Sequence, residues 1–243
     1  MPKLRLDQLL VQRELCDSRE QARRLILAGE VICDTLTPLK PGAKVPEDLP
    51  LSLKQRPRFV GRGGEKLEGA LSSFSIAVEG RIAADIGAST GGFTDCLLQH
   101  GATRVYAFDV GTNQLAWKLR QDPRVVSREQ FNCRDLCVAD IGELVDIVVI
   151  DVSFISLTKI LPAAFGVLKP DGDLVCLIKP QFELTRNEVG KGGIVREDSL
   201  RIKALDKIRD FVTDLNKRWR EAMDSPISGS DGNREFLAWA GHN

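Results

Sequence analysis

The sequence lacks the features that identify membrane, secreted and zinc-binding proteins. Its longest apolar runs, at residues 147–150 and 160–168, are short, whereas a membrane-spanning helix needs about 20 apolar residues. The N-terminal stretch has no apolar core of a signal peptide. The six cysteines form no Cys-x-x-Cys pair, and there are only two histidines. These absences favour a reduced, cytoplasmic protein with no membrane partner and no metal.

The balance of charge excludes a chain that is basic throughout. Lys and Arg together number 34, as do Asp and Glu, so affinity for nucleic acid must come from local basic patches. The length of 243 residues and the hydrophobic content of 43% are typical of a globular chain with one large domain, or with one large and one small domain. Nothing in this composition indicates an oligomeric state.

A glycine-rich stretch at residues 85–94 organises the larger part of the chain. It follows a short apolar segment and precedes an amphipathic pattern over residues 93–101. The order strand, glycine turn, helix is the first unit of a nucleotide-binding α/β fold. The glycines leave room for a ligand to approach the backbone. The plain alternative is a loop between strand and helix that binds nothing.

The next predicted strand, at residues 104–109, favours a ligand, because Asp109 ends it where such folds accept ribose hydroxyls. The stretch has neither the dinucleotide pattern Gly-x-Gly-x-x-Gly nor the lysine of a P-loop. A nucleoside without phosphates, such as S-adenosylmethionine, therefore fits better than NAD or ATP. Asp85 could face its methionine amino group, and a side chain in residues 132–136 could bind the adenine edge. The predicted cofactor-binding residues are Asp85, Gly87, Ser89, Thr90, Gly91, Gly92, Phe93, Asp109 and Asp135.

Strands and helices alternate through the rest of the large domain. The patterns predict helices over residues 65–74, 113–119, 155–168 and 198–220, and strands over residues 124–127, 146–151, 173–180 and 233–239. A turn is predicted at residues 170–172 and a loop, a candidate flap over substrate, at residues 181–197. Asp151 and Lys179 end two buried strands, at the edge where parallel sheets bind ligands. A purely structural ion pair between them is the alternative.

Residues 1–54 form a separate small α+β module in this interpretation. Two helices are predicted over residues 6–13 and 19–28, the second capped by Ser18, with short strands at residues 31–34 and 51–53. The basic side chains on these helices form either a phosphate-binding face or a merely solvated one, because acidic residues lie among them. The pattern from residue 5 to residue 31 resembles a widespread small RNA-binding domain of ribosomal proteins, pseudouridine synthases and tyrosyl-tRNA synthetases. That resemblance implies RNA contacts by Arg5, Arg19, Arg23 and Arg24.

A basic linker, residues 55–64, is predicted between the two domains. Arg56, Arg58 and Arg62 lie in it without an acidic residue, and its proline and glycines prevent regular structure. Arg58 and Arg62 are further candidates for RNA phosphates, unless the linker is merely soluble. Lys66 follows, beside the apolar stripe of the first helix, and the pattern alone favours its pointing into water.

Five motifs in order, at residues 59–67, 85–94, 151–156, 178–183 and 232–236, resemble the TlyA, or hemolysin-A, family. The resemblance implies an FtsJ-type ribosomal RNA 2′-O-methyltransferase with a Rossmann-like fold, residues 65–243. It implies S-adenosylmethionine as cofactor and ribosomal subunits as partner, with a cytidine of the large subunit as target, with or without a second site in the small subunit. The family's catalytic tetrad falls on Lys66, Asp151, Lys179 and Glu235.

Methyl transfer to a ribose hydroxyl needs alignment of the oxygen with the methyl group and help in removing the proton, which suggests a role for each member of the tetrad. We expect Lys179 to be the base or the group that orients the hydroxyl and Lys66 to be a neighbouring cation. Asp151 and Glu235 are expected to hold the lysine amines and the ribose. Phe154 either stacks on a flipped target base or packs in the core. A non-catalytic RNA-binding assembly factor is the main alternative function, and a membrane-lysing protein, suggested by the family's second name, is a remote one.

Overall fold

The structure, a computed structural model, describes residues 3–16, 18–33, 38–54, 58–229 and 231–243. The predictions that involve Asp17, Asp34, Arg56 and Pro57 lie outside the described residues. The chain divides into two units, residues 1–56 and 57–243.

The first unit is a pair of short helices with short antiparallel strand pairs. Its elements are β1 (Lys3–Arg5), α1 (Leu6–Gln12), α2 (Arg19–Leu27), β2 (Val31–Ile32), β3 (Lys44–Pro46) and β4 (Ser52–Leu53). The Ser18 side chain accepts a hydrogen bond from the Gln21 backbone N–H at 3.2 Å, which confirms the predicted N-cap. The pattern does not predict β1 and β3, because three residues are too few to show a period. The apolar faces of both helices meet in a small core that includes Leu6, Leu9, Leu10, Ala22 and Ile26.

The second unit is a seven-stranded sheet with helices on its faces. Its elements are α3 (Gly63–Ser73), β5 (Ile82–Ile86), α4 (Gly92–Gln99), β6 (Arg104–Phe108), α5 (Trp117–Arg120), β7 (Val125–Arg128), α6 (Val138–Ile141), β8 (Val145–Ile150), α7 (Leu161–Val167), β9 (Leu168–Ile178), α8 (Pro180–Glu183), α9 (Asp198–Asp214), β10 (Arg218–Asp224) and β11 (Phe236–Gly241). The strand order is β10-β11-β9-β8-β5-β6-β7. Strands β5 to β9 run parallel, whereas β11 is antiparallel to both β9 and β10.

Several predicted boundaries in the second unit are wrong. The helix predicted over residues 198–220 ends at Asp214, and β10 follows a turn at Asn216, whose φ is 55°. This edge strand is largely polar and exposed, so it lacks the apolar alternation that identifies a strand. The helices predicted over residues 113–119 and 155–168 shorten to α5 and α7. The predicted turn at residues 170–172 lies inside β9, where pairing with β8 shifts register between Val145 and Ile147.

The topology brings three separate loops to one edge of this sheet. The chain leaves β5 toward β6 and β7, then returns to the other side of β5 as β8, and this switch point is where such sheets bind ligands. Ile86 pairs with Ile150, so the residues that follow β5 and β8 are neighbours. Phe236 pairs with Ile178, so the residue before β11 lies beside the residue after β9. Register alone therefore gathers Asp151, Lys179 and Glu235.

Candidate active site

The four residues of the predicted tetrad form two lysine–carboxylate pairs. Lys66 Nζ donates a hydrogen bond to Glu235 Oε2 at 2.5 Å. Lys179 Nζ lies 2.7 Å from Asp151 Oδ1. Both pairs stand at the edge of the sheet where β8 and β9 end and β11 begins.

The Lys66–Glu235 pair is buried. Lys66 lies on the first turn of α3, and the side chains of Lys66 and Glu235 are 8% and 2% exposed. The expectation from the pattern alone, that Lys66 points into water, is therefore wrong. Burial raises the pKa of the Glu235 carboxyl, and the hydrogen bond and charge of Lys66 offset this only in part. A charged lysine at this position is what allows a carboxylate to remain inside.

The Lys179–Asp151 pair is more accessible and has a third member. Lys179 Nζ also donates a hydrogen bond to Ser153 Oγ at 2.9 Å. Ser153 is not among the predicted site residues, although it lies two residues after Asp151 in the same motif. The side chains of Lys179 and Asp151 are 12% and 24% exposed. Both line a cavity of about 250 Å³ together with Ser153.

This smaller cavity lies over the glycine-rich turn after β5. Several residues of the turn line it, and so does the segment that precedes α3: Gly61, Arg62, Gly63, Gly87, Ser89, Thr90, Gly92 and Phe93. Gly87 has a φ of 86°, and a Cβ there would lie 2.4 Å from the Asp151 carbonyl oxygen. Only glycine allows the turn to pass this close to the end of β8.

A larger cavity of about 980 Å³ adjoins the smaller one. Gly87, Ser89, Asp151 and Ser153 line both cavities, whereas Asp109 lines only the larger one. The Asp109 carboxylate accepts hydrogen bonds from the backbone N–H groups of Ser89 and Gly111, both at 2.7 Å. Further polar side chains line this cavity that the spacing of glycines does not identify, namely Gln114, Gln130, Asn132 and Arg134.

Three of the predicted cofactor residues line neither of these two cavities. Asp85 is fully buried and accepts a hydrogen bond from Thr94 Oγ1 at 2.6 Å, while its Oδ1 has no partner among the described residues. Burial raises the pKa of Asp85 to about 7, against the opposing effect of Thr94. Gly91, whose φ is 95°, faces leucine side chains, where a Cβ would lie 2.2 Å from Leu119. Asp135 is exposed to solvent, and its neighbours Cys133 and Arg134 line the larger cavity instead.

Phe154 is displayed on the surface beside this site. Its side chain is 91% exposed, so the alternative of a core phenylalanine is wrong. Its φ of 64° is unusual for a residue other than glycine. The ring lies 5.1 Å from the ring of Phe182, centroid to centroid, and borders the larger cavity.

The predicted RNA-binding arginines have different surroundings. In the second unit, Arg62 lines the smaller cavity and donates to the Ser228 carbonyl oxygen at 2.5 Å. Arg58 forms an ion pair with Glu68 and lies over the ring of Phe59.

In the first unit, Arg5 and Arg19 both bind the buried carboxylate of Asp7. The hydrogen bonds from Arg5 hold the pKa of Asp7 below its usual range. Arg23 and Arg24 are exposed and form no ion pair with another described residue. Of the four arginines predicted to contact RNA in this unit, Arg23 and Arg24 are therefore the ones without an ion pair to a described residue.

Two findings concern the absences predicted from composition. No helix within the described ranges has the length and apolar character needed to cross a bilayer. In the same part of the chain, His, Cys, Asp and Glu side chains form no group of three or more that could hold a metal ion.

Comparison with known families identifies the class of protein. Residues 59–242 match the FtsJ-like methyltransferase family, and residues 4–46 match the S4 domain. The chain therefore belongs to the FtsJ-like methyltransferase family and carries an N-terminal S4 domain. This confirms the resemblance drawn from the five motifs and the small-domain pattern.

Particular relatives resemble nearly the whole chain. A Mycobacterium tuberculosis protein named 16S/23S rRNA (cytidine-2′-O)-methyltransferase TlyA is 45% identical over 98% of this chain and 89% of its own length. Hemolysin A of Brachyspira hyodysenteriae is 46% identical over 97% of this chain and 98% of its own length. The solved structure of a hemolysin-type protein from Streptococcus thermophilus covers 99% of this chain and 88% of its own, with a TM-score of 0.74 and 48% identity.

Proposed function

We propose that this chain transfers a methyl group from S-adenosylmethionine to a ribose 2′-hydroxyl of ribosomal RNA, at a cytidine of the large subunit. The observation that carries the proposal is the placement of both lysine–carboxylate pairs at the sheet edge beside the glycine-rich turn. The name of the M. tuberculosis relative supports the reaction and the nucleoside. A Campylobacter jejuni relative named 23S rRNA (cytidine-2′-O)-methyltransferase TlyA, 32% identical over 74% of this chain and 69% of its own length, supports the large subunit.

The residues of the glycine turn and the larger cavity fit the nucleoside part of the cofactor. At Gly87 the backbone of the turn faces the cavity without a side chain, which leaves room for a ligand. Asp109, at the end of β6, offers a carboxylate for ribose hydroxyls. Asp85 lines neither cavity, but the unpartnered Oδ1 of this buried carboxylate is the acceptor that we propose for the amino group of the cofactor. When bound, S-adenosylmethionine supplies an electrophilic methyl group on its sulfonium.

Lys179 is the residue proposed to act on the attacking hydroxyl. It lines the smaller cavity, next to the turn that would hold the cofactor. An ion pair with Asp151 at 2.7 Å and a hydrogen bond to Ser153 at 2.9 Å hold its amine, so its remaining hydrogen-bonding capacity can orient a ribose oxygen. In its neutral form the same amine can take the hydroxyl proton.

Lys66 and Glu235 are proposed to support this centre from the buried side. Their mutual pairing fixes the first turn of α3 against the start of β11. A charged pair near Lys179 adds electrostatic preorganisation without moving during the reaction. Phe154 is proposed to stack on the target base once that base leaves its own stack, since its ring is exposed beside the larger cavity. Arg23, Arg24 and Arg62 are proposed to bind phosphates.

Methyl transfer from labelled S-adenosylmethionine to purified ribosomal subunits and to naked ribosomal RNA tests the proposal. The informative variant is Lys179→Met, and its control is Lys169→Met. Lys169 is the second residue of β9, whereas Lys179 directly follows its last residue. Lys169 pairs with Asp146 at 2.7 Å, so it matches Lys179 in chemistry but lies at the opposite end of the strand. We expect label on a 2′-oxygen of large-subunit RNA with the wild type and with Lys169→Met. General acid–base groups contribute roughly 10²- to 10⁴-fold, so Lys179→Met should lose at least about 100-fold in rate.

The other outcomes separate the alternatives. RNA binding without methyl transfer to any substrate would indicate the non-catalytic assembly factor. Near-normal turnover by Lys179→Met would show that the chemistry does not depend on this amine. Label on a base atom, or on small-subunit RNA alone, would contradict the proposed target.

A further inference from the structure

A second polar network, centred on a buried carboxylate, lies beside the site and includes no member of the tetrad. Its centre is Glu183, the last residue of α8, whose side chain is 1% exposed. The Glu183 carboxylate accepts hydrogen bonds from Ser156 Oγ at 2.5 Å, from the Leu157 backbone N–H at 2.7 Å and from Lys207 Nζ at 2.9 Å. Lys207, on α9, also donates to the Glu183 carbonyl oxygen at 2.7 Å. Each of these bonds therefore joins Glu183 to another part of the chain.

Glu183 connects the two segments that carry the more accessible catalytic pair. The first is the post-β8 segment, residues 151–157, which contains Asp151, Ser153 and Phe154. The second is α8, which begins directly after Lys179 and ends at Glu183. One carboxylate thus ties the far end of the post-β8 segment to the far end of α8, and the Lys179 contacts tie their near ends.

Phe154 shows why the post-β8 segment needs to be held. Its positive φ of 64° costs energy for a residue with a side chain. Such a conformation persists only where surrounding contacts over-determine it. The bond from Lys179 to Ser153 lies on one side of Phe154, and the bonds from Ser156 and Leu157 to Glu183 lie on the other. The ring itself packs only against Phe182 of α8 among the aromatic contacts of the described residues.

Stability alone is a weak reason to bury this carboxylate. An apolar residue of similar volume at such a position is often as stabilising as a buried ion pair. A carboxylate is needed where a backbone N–H, a hydroxyl and an ammonium must all be fixed in one geometry, because it accepts from several donors at once.

We propose that Glu183 is a positioning residue that holds the post-β8 segment against α8, so that Asp151 and Ser153 stay aligned on Lys179 and Phe154 stays presented to RNA. Its catalytic consequence rests on the proposed methyl transfer. Glu183 touches no reacting group, and it acts through the segment that it holds.

The test compares Glu183→Gln with a matched control, Glu188→Gln. Glu188 also accepts from a backbone N–H, a hydroxyl and an α9 lysine, but its partners are Thr185 and Lys203, outside the post-β8 segment. Glutamine keeps the size of the side chain and removes the charge and one acceptor. Hydrogen exchange of the full-length protein reports on the amides of residues 152–157, and steady-state methyl transfer gives kcat and the KM for S-adenosylmethionine.

We expect Glu183→Gln to exchange several-fold faster in residues 152–157 and to lose roughly 10- to 100-fold in kcat, because small misplacements of reacting groups cost this much. The KM for S-adenosylmethionine should change less than twofold, and Glu188→Gln should match the wild type in every measurement. Ser156→Ala, which removes one bond of the network from the other side, should show the same changes to a smaller degree and serves if Glu183→Gln folds poorly.

Two results would overturn the proposal. One is exchange and kcat within twofold of wild type in both Glu183→Gln and Ser156→Ala. The other is faster exchange spread evenly over the second unit, which would make Glu183 a general stabilising residue. A wild-type protein that transfers no methyl group would refute the proposed function, whereas the exchange comparison would still decide whether Glu183 holds the segment.

Discussion

Removal of Lys66 should destabilise the second unit of the chain. In the folded protein Lys66 and Glu235 form an ion pair whose side chains are 8% and 2% exposed. Truncating one partner of a buried pair leaves the other charge without compensation, at a cost of roughly 3–5 kcal/mol. We therefore expect Lys66→Met to lower the free energy of unfolding by about 3 kcal/mol at neutral pH.

The pH dependence of this loss identifies Glu235 as its cause. Burial already raises the pKa of Glu235 and Lys66 opposes that rise, so losing Lys66 raises the pKa further. A carboxyl with a higher pKa in the folded state contributes stability below its unfolded pKa, and this is lost as the pH rises through the folded pKa. Lys66→Met should therefore come closest to the wild type near pH 4, about the unfolded pKa of glutamate, and fall behind it as the pH rises.

Urea unfolding followed by tryptophan fluorescence reports this effect for the second unit of the chain, which contains Lys66 and Glu235. All three tryptophans belong to residues 57–243, so the signal does not report on the first unit. Titrating the free energy of unfolding at several pH values between about 4 and 8 covers the range in which Glu235 is expected to ionise. The tryptophans are Trp117, Trp219 and Trp239.

Two controls decide whether the reasoning holds. The double variant Lys66→Met with Glu235→Leu removes both charges and should recover most of the lost stability. Lys169→Met breaks a pair that is 37% and 26% exposed, and it should cost less than about 1 kcal/mol. A Lys66→Met protein within about 1 kcal/mol of wild type at every pH, or a loss that does not vary with pH, would refute the argument.

Three further predictions concern other residues of the chain. Burial raises the pKa of Asp85 from 3.8 to about 7, so its contribution to stability is complete below pH 4 and is lost as the pH rises through 7. The free energy of unfolding of the wild type should therefore fall by roughly 4 kcal/mol between these limits because of Asp85. Urea unfolding of Asp85→Asn should show that this part of the fall is absent. Phe154→Ala should leave the Tm unchanged because the side chain is 91% exposed, yet slow methyl transfer roughly 10-fold through weaker base stacking, while Phe154→Trp retains it. Arg23→Ala with Arg24→Ala should weaken RNA binding and reduce the slope of log affinity against log salt by about 0.7–0.9 for each phosphate that the variant no longer binds, measured by fluorescence anisotropy.

The sequence predicts the sheet edge well because the information there is local. Apolar runs that end in Asp151 and Lys179, and a glycine turn after a strand, each identify the end of a parallel strand. Knowing that these ends share one edge is sufficient to expect the two charges together, and they lie 2.7 Å apart. Family resemblance added Lys66 and Glu235, which the pattern alone did not.

The remaining features depend on tertiary contacts that no local pattern records. The strand β10 is polar and follows a helix without a proline or glycine, so its amphipathic signal merges with that of α9. The burial of Lys66 depends on a partner 169 residues away. Glu183 occurs in a recognised motif, but its burial follows from Ser156 and Lys207, which come from two other parts of the chain.

The two lysine–carboxylate pairs differ in exposure, and on that ground we propose different roles for them. The Lys66–Glu235 pair is sealed from solvent, so its ions cannot meet a substrate oxygen without a rearrangement that would leave one charge bare, and its contribution is a fixed field and a fixed helix start. The Lys179–Asp151 pair opens on the smaller cavity and shares Ser153, so Lys179 is the amine that we propose to meet the ribose oxygen. Under this proposal one pair fixes the site and the other acts on the substrate. The proposed role of Glu183 follows from the same contrast. Val152, Ile155 and Leu157 of the post-β8 segment pack in or against the core, whereas Ser153 and Phe154 between them are exposed. The polar contacts from Lys179 and Glu183 are therefore the ones we propose to fix this exposed part.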